Sequence, residues 1–231
     1  MQSLKTVWRG EFSRDFLTQK YWPVMFVLFW VPVFIASFFY PGYNIVQDYI
    51  SDLGVPANNP IGWPIWSFGH AIFGILLFPV IRYLYRQLAG EPRKYLRVGT
   101  VFLILSAIGI LGLGTIPQFS YPGLGEIHAT NATLLIGGTY LNLFSWFPLM
   151  RKDPKMKQSI VVARLVAGLV ILGGLALSVL PAFFLDDQAV GCSGGVCPWY
   201  LSTPFWEWTF LIGMMVNDVL LFFVIPERKS C

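Results

Sequence analysis

Long apolar segments with few charges dominate the sequence and restrict what it can fold into. Six of them, each twenty residues or longer, are separated by short polar connections. A helix that crosses the hydrocarbon core of a bilayer needs about 20 apolar residues. The segments are Tyr21–Tyr40, Trp63–Leu88, Val98–Pro117, Ile127–Met150, Ile160–Leu185 and Phe205–Ile225. This pattern predicts an all-α polytopic membrane protein with six transmembrane helices.

The composition agrees with a chain that is covered by lipid. Apolar residues make up 55% of it and charged residues only 12%, whereas a soluble domain carries about 25% charge. Because lipid offers no hydrogen bonds, each spanning segment must be helical to satisfy its backbone groups. An ordinary soluble domain is thereby excluded.

The basic residues predict the orientation. All 16 Lys and Arg lie before the first segment, around the second and fourth connections, or after the last segment. With six spans they share one side, which the positive-inside rule makes cytoplasmic. We therefore expect cytoplasmic termini, an amphipathic interfacial segment over residues 1–20, a transmembrane domain over 21–226 and a tail over 227–231. The net charge of +4 then needs no nucleic-acid partner.

The opposite side collects acids and both histidines. Its loop between the first two segments is unusually polar, and histidines follow near the starts of the second and fourth segments. We expect an outward-facing pocket at the depth of the lipid headgroups, on the extracytoplasmic side of the plasma membrane. Carboxylates and imidazoles without neighbouring cations suit a divalent cation or proton transfer. The candidate catalytic residues are Ser51, Asp52, His70, His128 and Glu207.

Four interpretations of this cluster stay open. His70, His128, Asp48 and Asp52 are enough ligands for a divalent metal such as zinc with one position left for water. The histidines are alternatively buried groups that hydrogen-bond within the protein. Ser51 with His70 and an acid would form a nucleophilic triad. Two histidines on facing helices would also suit a haem.

Other polar residues have structural interpretations. Gly54 is expected to take a positive φ in a turn closed by the preceding aspartate. Asp218, deep in the sixth segment, is predicted to pair with Arg164 of the fifth or, alternatively, with Arg82, because a bare charge there is unfavourable. A proton relay through Asp218 is the functional alternative. Cys192 and Cys197 share an outer loop, where an oxidising compartment permits a disulfide.

Glycines cluster in the third and fifth segments. Small residues let membrane helices approach closely, so both segments are expected at the centre of the bundle. The glycines are Gly109, Gly112 and Gly114 in the third segment and Gly168, Gly173 and Gly174 in the fifth.

The run Ile50-Ser51-Asp52-Leu53-Gly54, followed by His70 in the second segment, resembles the bacterial and archaeal family called domain of unknown function 998. It is more distantly similar to the DRAM and GPI-anchor-remodelling membrane proteins, which carry an Ile-Ser-Asp motif in the same outer loop. The first resemblance implies a six-helix layout without an agreed activity. The second implies lipid remodelling or lipid distribution. The residues that carry over are Ser51, Asp52, Gly54 and, less directly, His70.

The expected function is therefore directed at membrane lipid. One form is a metal-dependent lipid hydrolase or acyl-modifying enzyme that uses the histidines as ligands or general bases. The other is a non-catalytic protein that binds or redistributes lipid, in which the same residues only fasten the loop. A homo-oligomer is compatible with either form.

Overall fold

The computed structural model describes residues 3–89, 93–116, 124–184 and 203–225, and these ranges are helical without strands. Two short helices, α1 (Leu4–Trp8) and α2 (Arg14–Phe16), precede six long ones. The long helices are α3 (Trp22–Phe38), α4 (Trp63–Gln87), α5 (Arg93–Thr115), α6 (Leu124–Lys152), α7 (Gln158–Phe184) and α8 (Thr203–Val224). The predicted all-α class is confirmed, and each apolar segment coincides with one long helix.

Within the described ranges, five helical stretches are long and apolar enough to cross a membrane. They are Arg14–Phe38, Trp63–Gln87, Lys94–Thr115, Gln158–Leu175 and Pro204–Val224. The first is continuous because a π-helical turn, Leu17–Tyr21, joins α2 to α3. Helix α6 is the longest at 29 residues but is more polar. The count of six spans and the side on which the termini lie therefore stay predictions.

Several polar side chains of α6 are directed at its neighbour α5. Asn142 donates to the carbonyl of Gly99 at 3.0 Å, and the hydroxyls of Ser106 and Thr139 are 2.9 Å apart. A hydrogen bond between helices satisfies groups that lipid would leave without partners. Helix α6 is thus packed into the bundle despite its lower hydropathy.

Consecutive long helices run in opposite directions. The contacts that establish this include Gly114 near the end of α5 against Ala71 near the start of α4, Gly99 against Trp146, and Gly174 of α7 against Trp206 near the start of α8. Helices α4, α6 and α8 therefore begin at the end of the bundle where α3 and α5 finish. The loop from α3 to α4 lies at that same end.

Residues 3–16, the N-terminal arm, pack against the other end of the bundle. Phe12 is only 6% exposed and stacks on Tyr83 of α4 with ring centroids 5.1 Å apart. Arg14 donates to the carbonyl of Ile225, just beyond α8. Part of the apolar face that predicted an interfacial segment thus packs against the helical bundle. Contact of this arm with the membrane surface stays a prediction.

The glycine pattern predicted the position of α5 correctly and that of α7 incorrectly. Helix α5 packs along both α4 and α6, with the backbone of Leu111 close against Gly74. In contrast, 17% of the 18-residue stretch Gln158–Leu175 of α7 is buried, against 56% of an 18-residue window within α4. A side chain at Gly173 would meet nothing within 4 Å. Helix α7 is therefore peripheral among the described helices.

We expect Gly114→Ala to lower the thermal unfolding temperature in detergent. The added Cβ would lie 2.6 Å from the carbonyl oxygen of Ser67, and backbone of a packed helix cannot move aside. Overpacking of this kind costs about 1–3 kcal/mol. The matched control is Gly137→Ala on α6, where a Cβ meets nothing within 4 Å. It should be neutral or stabilise by up to about 1 kcal/mol through helix propensity. Equal unfolding temperatures for the two variants would contradict the close α4–α5 packing.

Candidate functional site

A small cavity, here called the histidine cavity, lies at the end of the bundle where α4, α6 and α8 begin. It is lined by Ser51 from the loop, His70 from α4, His128 from α6 and Glu207 from α8, together with apolar side chains. Its volume is about 30 Å³, which holds one or two waters. Four of the predicted catalytic residues are thus brought together, and Asp52 does not line the cavity.

The loop enters the cavity through a 3₁₀ turn, Ile50–Gly54. Asp52 closes this turn by accepting a hydrogen bond from the backbone N–H of Tyr49 at 3.0 Å. Gly54 does not have a positive φ, so that expectation is wrong. It is small for another reason: a Cβ there would lie 2.5 Å from the ring of Trp66, which is only 1% exposed.

The two loop aspartates serve their own loop. Asp48 accepts from the backbone N–H of Asn44 at 2.6 Å, in a turn separate from that of Asp52. Burial raises the pKa of Asp52, the hydrogen bond from Tyr49 opposes the shift, and the charge of Asp48 adds to it. Hydrogen bonds within the loop thus account for the positions of both carboxylates, and no partner in the histidine cavity is needed.

Asn59 fastens the loop from beneath, and the sequence analysis missed it. This side chain is fully buried and donates to the carbonyls of Ala36 at 3.1 Å and Leu53 at 3.0 Å. Its oxygen accepts from the N–H of Gly62 at 3.1 Å. An asparagine in an Asn-Asn-Pro loop looks like an exposed turn residue, so no signal in the sequence separates it from Asn58.

Glu207 ties the loop to α8. Its carboxylate accepts from the backbone N–H of Ile50 at 2.8 Å, and the hydroxyl and N–H of Ser51 bond the same group. A second tie lies nearby, where the indole N–H of Trp208 donates to the Tyr43 hydroxyl at 3.1 Å. Glu207 therefore sets the position of Ser51 at the cavity wall.

The two histidines differ in how their rings are held. His70 is 1% exposed, and its Nδ1 lies 3.0 Å from the carbonyl oxygen of Trp66. A carbonyl can only accept, so the proton of the neutral ring is on Nδ1 and Nε2 keeps its lone pair. The ring stacks on Trp66 at a centroid distance of 3.8 Å and packs on Phe29 at 4.6 Å.

His128 has a nitrogen that the protein leaves unused. It is 9% exposed, and its Nδ1 has no hydrogen-bond partner among the described residues. A buried polar atom without a partner is unfavourable and is usually satisfied by water or a ligand. The cavity beside it has room for such a water.

The described parts of the chain contain no set of ligands for the predicted metal. No three His, Cys, Asp or Glu residues among them lie close enough to hold an ion, because Asp48 and Asp52 bond their own loop. A haem between His70 and His128 does not fit either, since a cavity of about 30 Å³ cannot hold a porphyrin. Cys192 and Cys197, with their predicted disulfide, lie outside the described residues.

A second polar cluster lies deeper in the bundle, around Arg164. This side chain is 1% exposed; its Nε donates to Asn217 Oδ1 at 2.9 Å, and Nη1 approaches the sulfur of Met150 at 3.2 Å. Asp218 is near enough to attract it electrostatically. Within the described residues, however, the single ion pair joins Arg86 to Glu11. The direct Arg164–Asp218 pair stays a prediction.

These features define an integral membrane protein whose apolar helices form a small cavity at one end of the bundle, with four polar residues in its lining. The model of one protein family, described as protein of unknown function (DUF998), matches residues 23–215. That match covers most of the chain and all four polar residues of the cavity, so the protein belongs to this family. Searches of curated proteins and of solved structures found no match. The more distant similarity to the DRAM and GPI-anchor-remodelling proteins stays a prediction.

We expect Glu207→Ala to destabilise the protein by about 1–3 kcal/mol, because the N–H of Ile50 loses its acceptor in a partly buried place. Glu207→Gln should recover most of the loss, since its amide oxygen can accept the same hydrogen bond. The measurement is thermal unfolding of the purified protein in detergent. Glu126→Ala is the control, as this carboxylate is exposed at the start of α6 and should change stability by less than about 0.5 kcal/mol. Equal effects of the two alanine variants would contradict the role of Glu207.

Proposed function

We propose that this protein acts on membrane lipid as an acyl-ester hydrolase, with the histidine cavity at the extracytoplasmic headgroup boundary of the cell membrane. The observation that carries the proposal is the convergence of a hydroxyl, two imidazoles and a carboxylate in one cavity. Four separate segments of the chain supply these groups. Ionisable side chains within membrane helices are unfavourable and are functional candidates by default.

His70 is the candidate general base. The hydrogen bond to the Trp66 carbonyl keeps the proton on Nδ1, so Nε2 is ready to accept one without a change of tautomer. The rings of Trp66 and Phe29 hold the imidazole in place. A base that is positioned in this way contributes about 10²–10⁴-fold to a rate.

The size of the cavity supports water as the nucleophile. A water beside the free Nδ1 of His128 gives its proton to His70 while its oxygen bonds to the carbonyl carbon of an ester that lies at the opening of the cavity. The bond from that carbon to the alcohol oxygen then breaks, and the leaving oxygen takes the proton from His70. The products are a fatty acid and the alcohol part of the lipid. Ser51 and Glu207 are positioning residues in this scheme.

A non-catalytic, lipid-binding function is the second candidate. Two observations favour it: the carboxylate of Glu207 is already occupied by the loop backbone, and an apolar groove of about 490 Å³ lies between α3 and α8. Within a membrane such a groove is filled by an acyl chain. The histidine cavity would then only fasten the loop. The groove is lined by Trp22, Phe26, Trp30, Ile212, Met215, Val216, Val219 and Leu220.

We expect purified protein in liposomes to release fatty acid from phosphatidylcholine, phosphatidylglycerol or phosphatidylethanolamine. His70→Gln should lower the rate by about 10²–10⁴-fold, and His128→Gln should also lower it, because the water loses a partner. The control is Ser37→Ala at the same end of the bundle, whose hydroxyl bonds only its own helix at the carbonyl of Phe34, 2.7 Å away. Its rate should equal that of the wild type. Unfolding temperatures of all variants separate lost chemistry from lost folding.

Folded wild-type protein that releases no fatty acid from any of the three lipids would overturn the hydrolase proposal. The lipid-binding function is then tested separately. Val219→Trp, which fills the α3–α8 groove, should reduce the lipid that co-purifies with the protein. Val162→Trp is the matched control, because Val162 is 42% exposed and lines no groove described here. Equal lipid content in the two variants would remove the binding candidate as well.

A further inference from the structure

A second groove lies at the opposite end of the bundle, between the N-terminal arm, α4 and α5. Its volume is about 530 Å³, within the range of small-molecule sites. Arg9 of the arm and Arg82 and Arg86 of α4 line it. Along α4, Arg86 is sixteen residues, or about 24 Å, from His70. The groove is therefore separate from the histidine cavity and independent of the function proposed for it.

The three arginines give this groove a positive charge. Arg82 donates to the carbonyl of Trp8 at 2.6 Å, and Arg86 pairs with Glu11 at 2.9 Å. Each guanidinium has five N–H donors, so one hydrogen bond leaves several available. All three arginines are exposed. Glu11 is the single carboxylate in an ion pair with them in the described structure, which leaves an excess of positive charge.

The remaining walls become apolar toward the middle of the bundle. Phe78, Ile81 and Ile104 line the groove, and Phe78 lies eight residues before Arg86 on α4, about 12 Å along the helix. Tyr85, which is 39% exposed, adds a hydroxyl beside the arginines. The groove is thus charged at the end of the helix and apolar within the span.

The arm forms one wall because its backbone is pressed against α4. Gly10 has φ +65°, and a Cβ there would lie 2.5 Å from the backbone N of Tyr83. Only glycine accepts both that conformation and that distance. The contact holds the neighbouring Arg9 next to the groove.

We propose that this groove binds an anionic phospholipid from the leaflet at the basic end of the bundle. The phosphate lies among Arg9, Arg82 and Arg86, because guanidinium groups match phosphate oxygens in charge and geometry. The first part of an acyl chain lies along Phe78 and Ile104. Charge complementarity selects an anionic headgroup, and the apolar depth selects a lipid over a soluble phosphate. The cytoplasmic leaflet, where the basic residues are predicted to lie, is the one rich in anionic lipid.

The test is a lipid titration of the detergent-purified full-length chain, followed by native mass spectrometry and thermal unfolding. The probes are dioleoyl-phosphatidylglycerol and dioleoyl-phosphatidylcholine, which share acyl chains and differ in headgroup charge. Phosphatidylglycerol should bind more tightly and raise the unfolding temperature further, since a ligand of the native state stabilises it. The double variant Arg9→Gln/Arg82→Gln should weaken its binding roughly 30-fold, from about fivefold for each arginine.

Matched variants separate the groove from general electrostatic attraction. Lys152→Gln/Lys155→Gln removes the same charge from exposed positions at and just after the end of α6 and should keep wild-type affinity. Ile104→Trp keeps every charge but fills the apolar part, and it should weaken binding by tenfold or more. Should Arg9→Gln/Arg82→Gln not fold, the single variant Arg9→Gln is measured, with an expected loss of about fivefold.

Three results would overturn the proposal. The first is equal binding of the two lipids by the wild type. The second is an equal loss of phosphatidylglycerol binding in the arginine and lysine double variants. The third is full stabilisation by glycerol 1-phosphate, which has the anionic group without the acyl chains and would mean a soluble anion site.

Discussion

The interior of a membrane supplies no water, so every polar group within it must find its partner in the protein. Most polar side chains in the described bundle obey this requirement. Asn142 donates to the backbone of α5, Thr139 bonds Ser106, and Arg164 donates to Asn217. The rule also identifies the exceptions. Buried polar atoms without a partner within the described ranges include His128 Nδ1, Trp66 Nε1, Ser67 Oγ, Asn131 Nδ2, the Tyr140 hydroxyl and Arg164 Nη2. Of these residues, His128 and Trp66 line the histidine cavity.

How far the sequence predicts this structure depends on the length scale of each signal. Apolar runs of twenty residues predict helices well, because the bilayer sets their length. The charge asymmetry grouped acids and histidines at one end, and three of them, His70, His128 and Glu207, line the histidine cavity. The direction in which a single loop side chain points has no comparable signal in the sequence. Asp48 and Asp52 were both predicted to reach the pocket as metal ligands, but the 3₁₀ turn that carries Asp52 begins only at Ile50, after Asp48. Each carboxylate therefore bonds a different part of the loop backbone.

Glycines show the same limit, because the sequence gives their positions and not the groups that each one contacts. A glycine in a membrane helix indicates that some neighbour is close, without saying whether the neighbour is a backbone, a flexible side chain or lipid. At Gly114 it is the backbone of α4, whereas at Gly168 it is the end of the Leu143 side chain, and at Gly173 nothing lies within 4 Å. Only the first requires glycine strictly, which is why α5 is central and α7 is not.

Helix α4 connects the two places where lipid chemistry is proposed. Its first turns carry His70, its last turns carry Arg82 and Arg86, and Gly74 packs it against α5 between them. Different parts of the chain close the two ends of the bundle. At the histidine end, side chains of other helices converge on the loop backbone and leave a cavity the size of a water. At the arginine end, the arm docks through its own backbone and leaves an open groove. A small cavity lined by imidazoles and a hydroxyl suits an activated water, and a larger groove lined by arginines and apolar side chains suits a bound lipid. The proposed roles at the two ends therefore follow from the size and lining of each space.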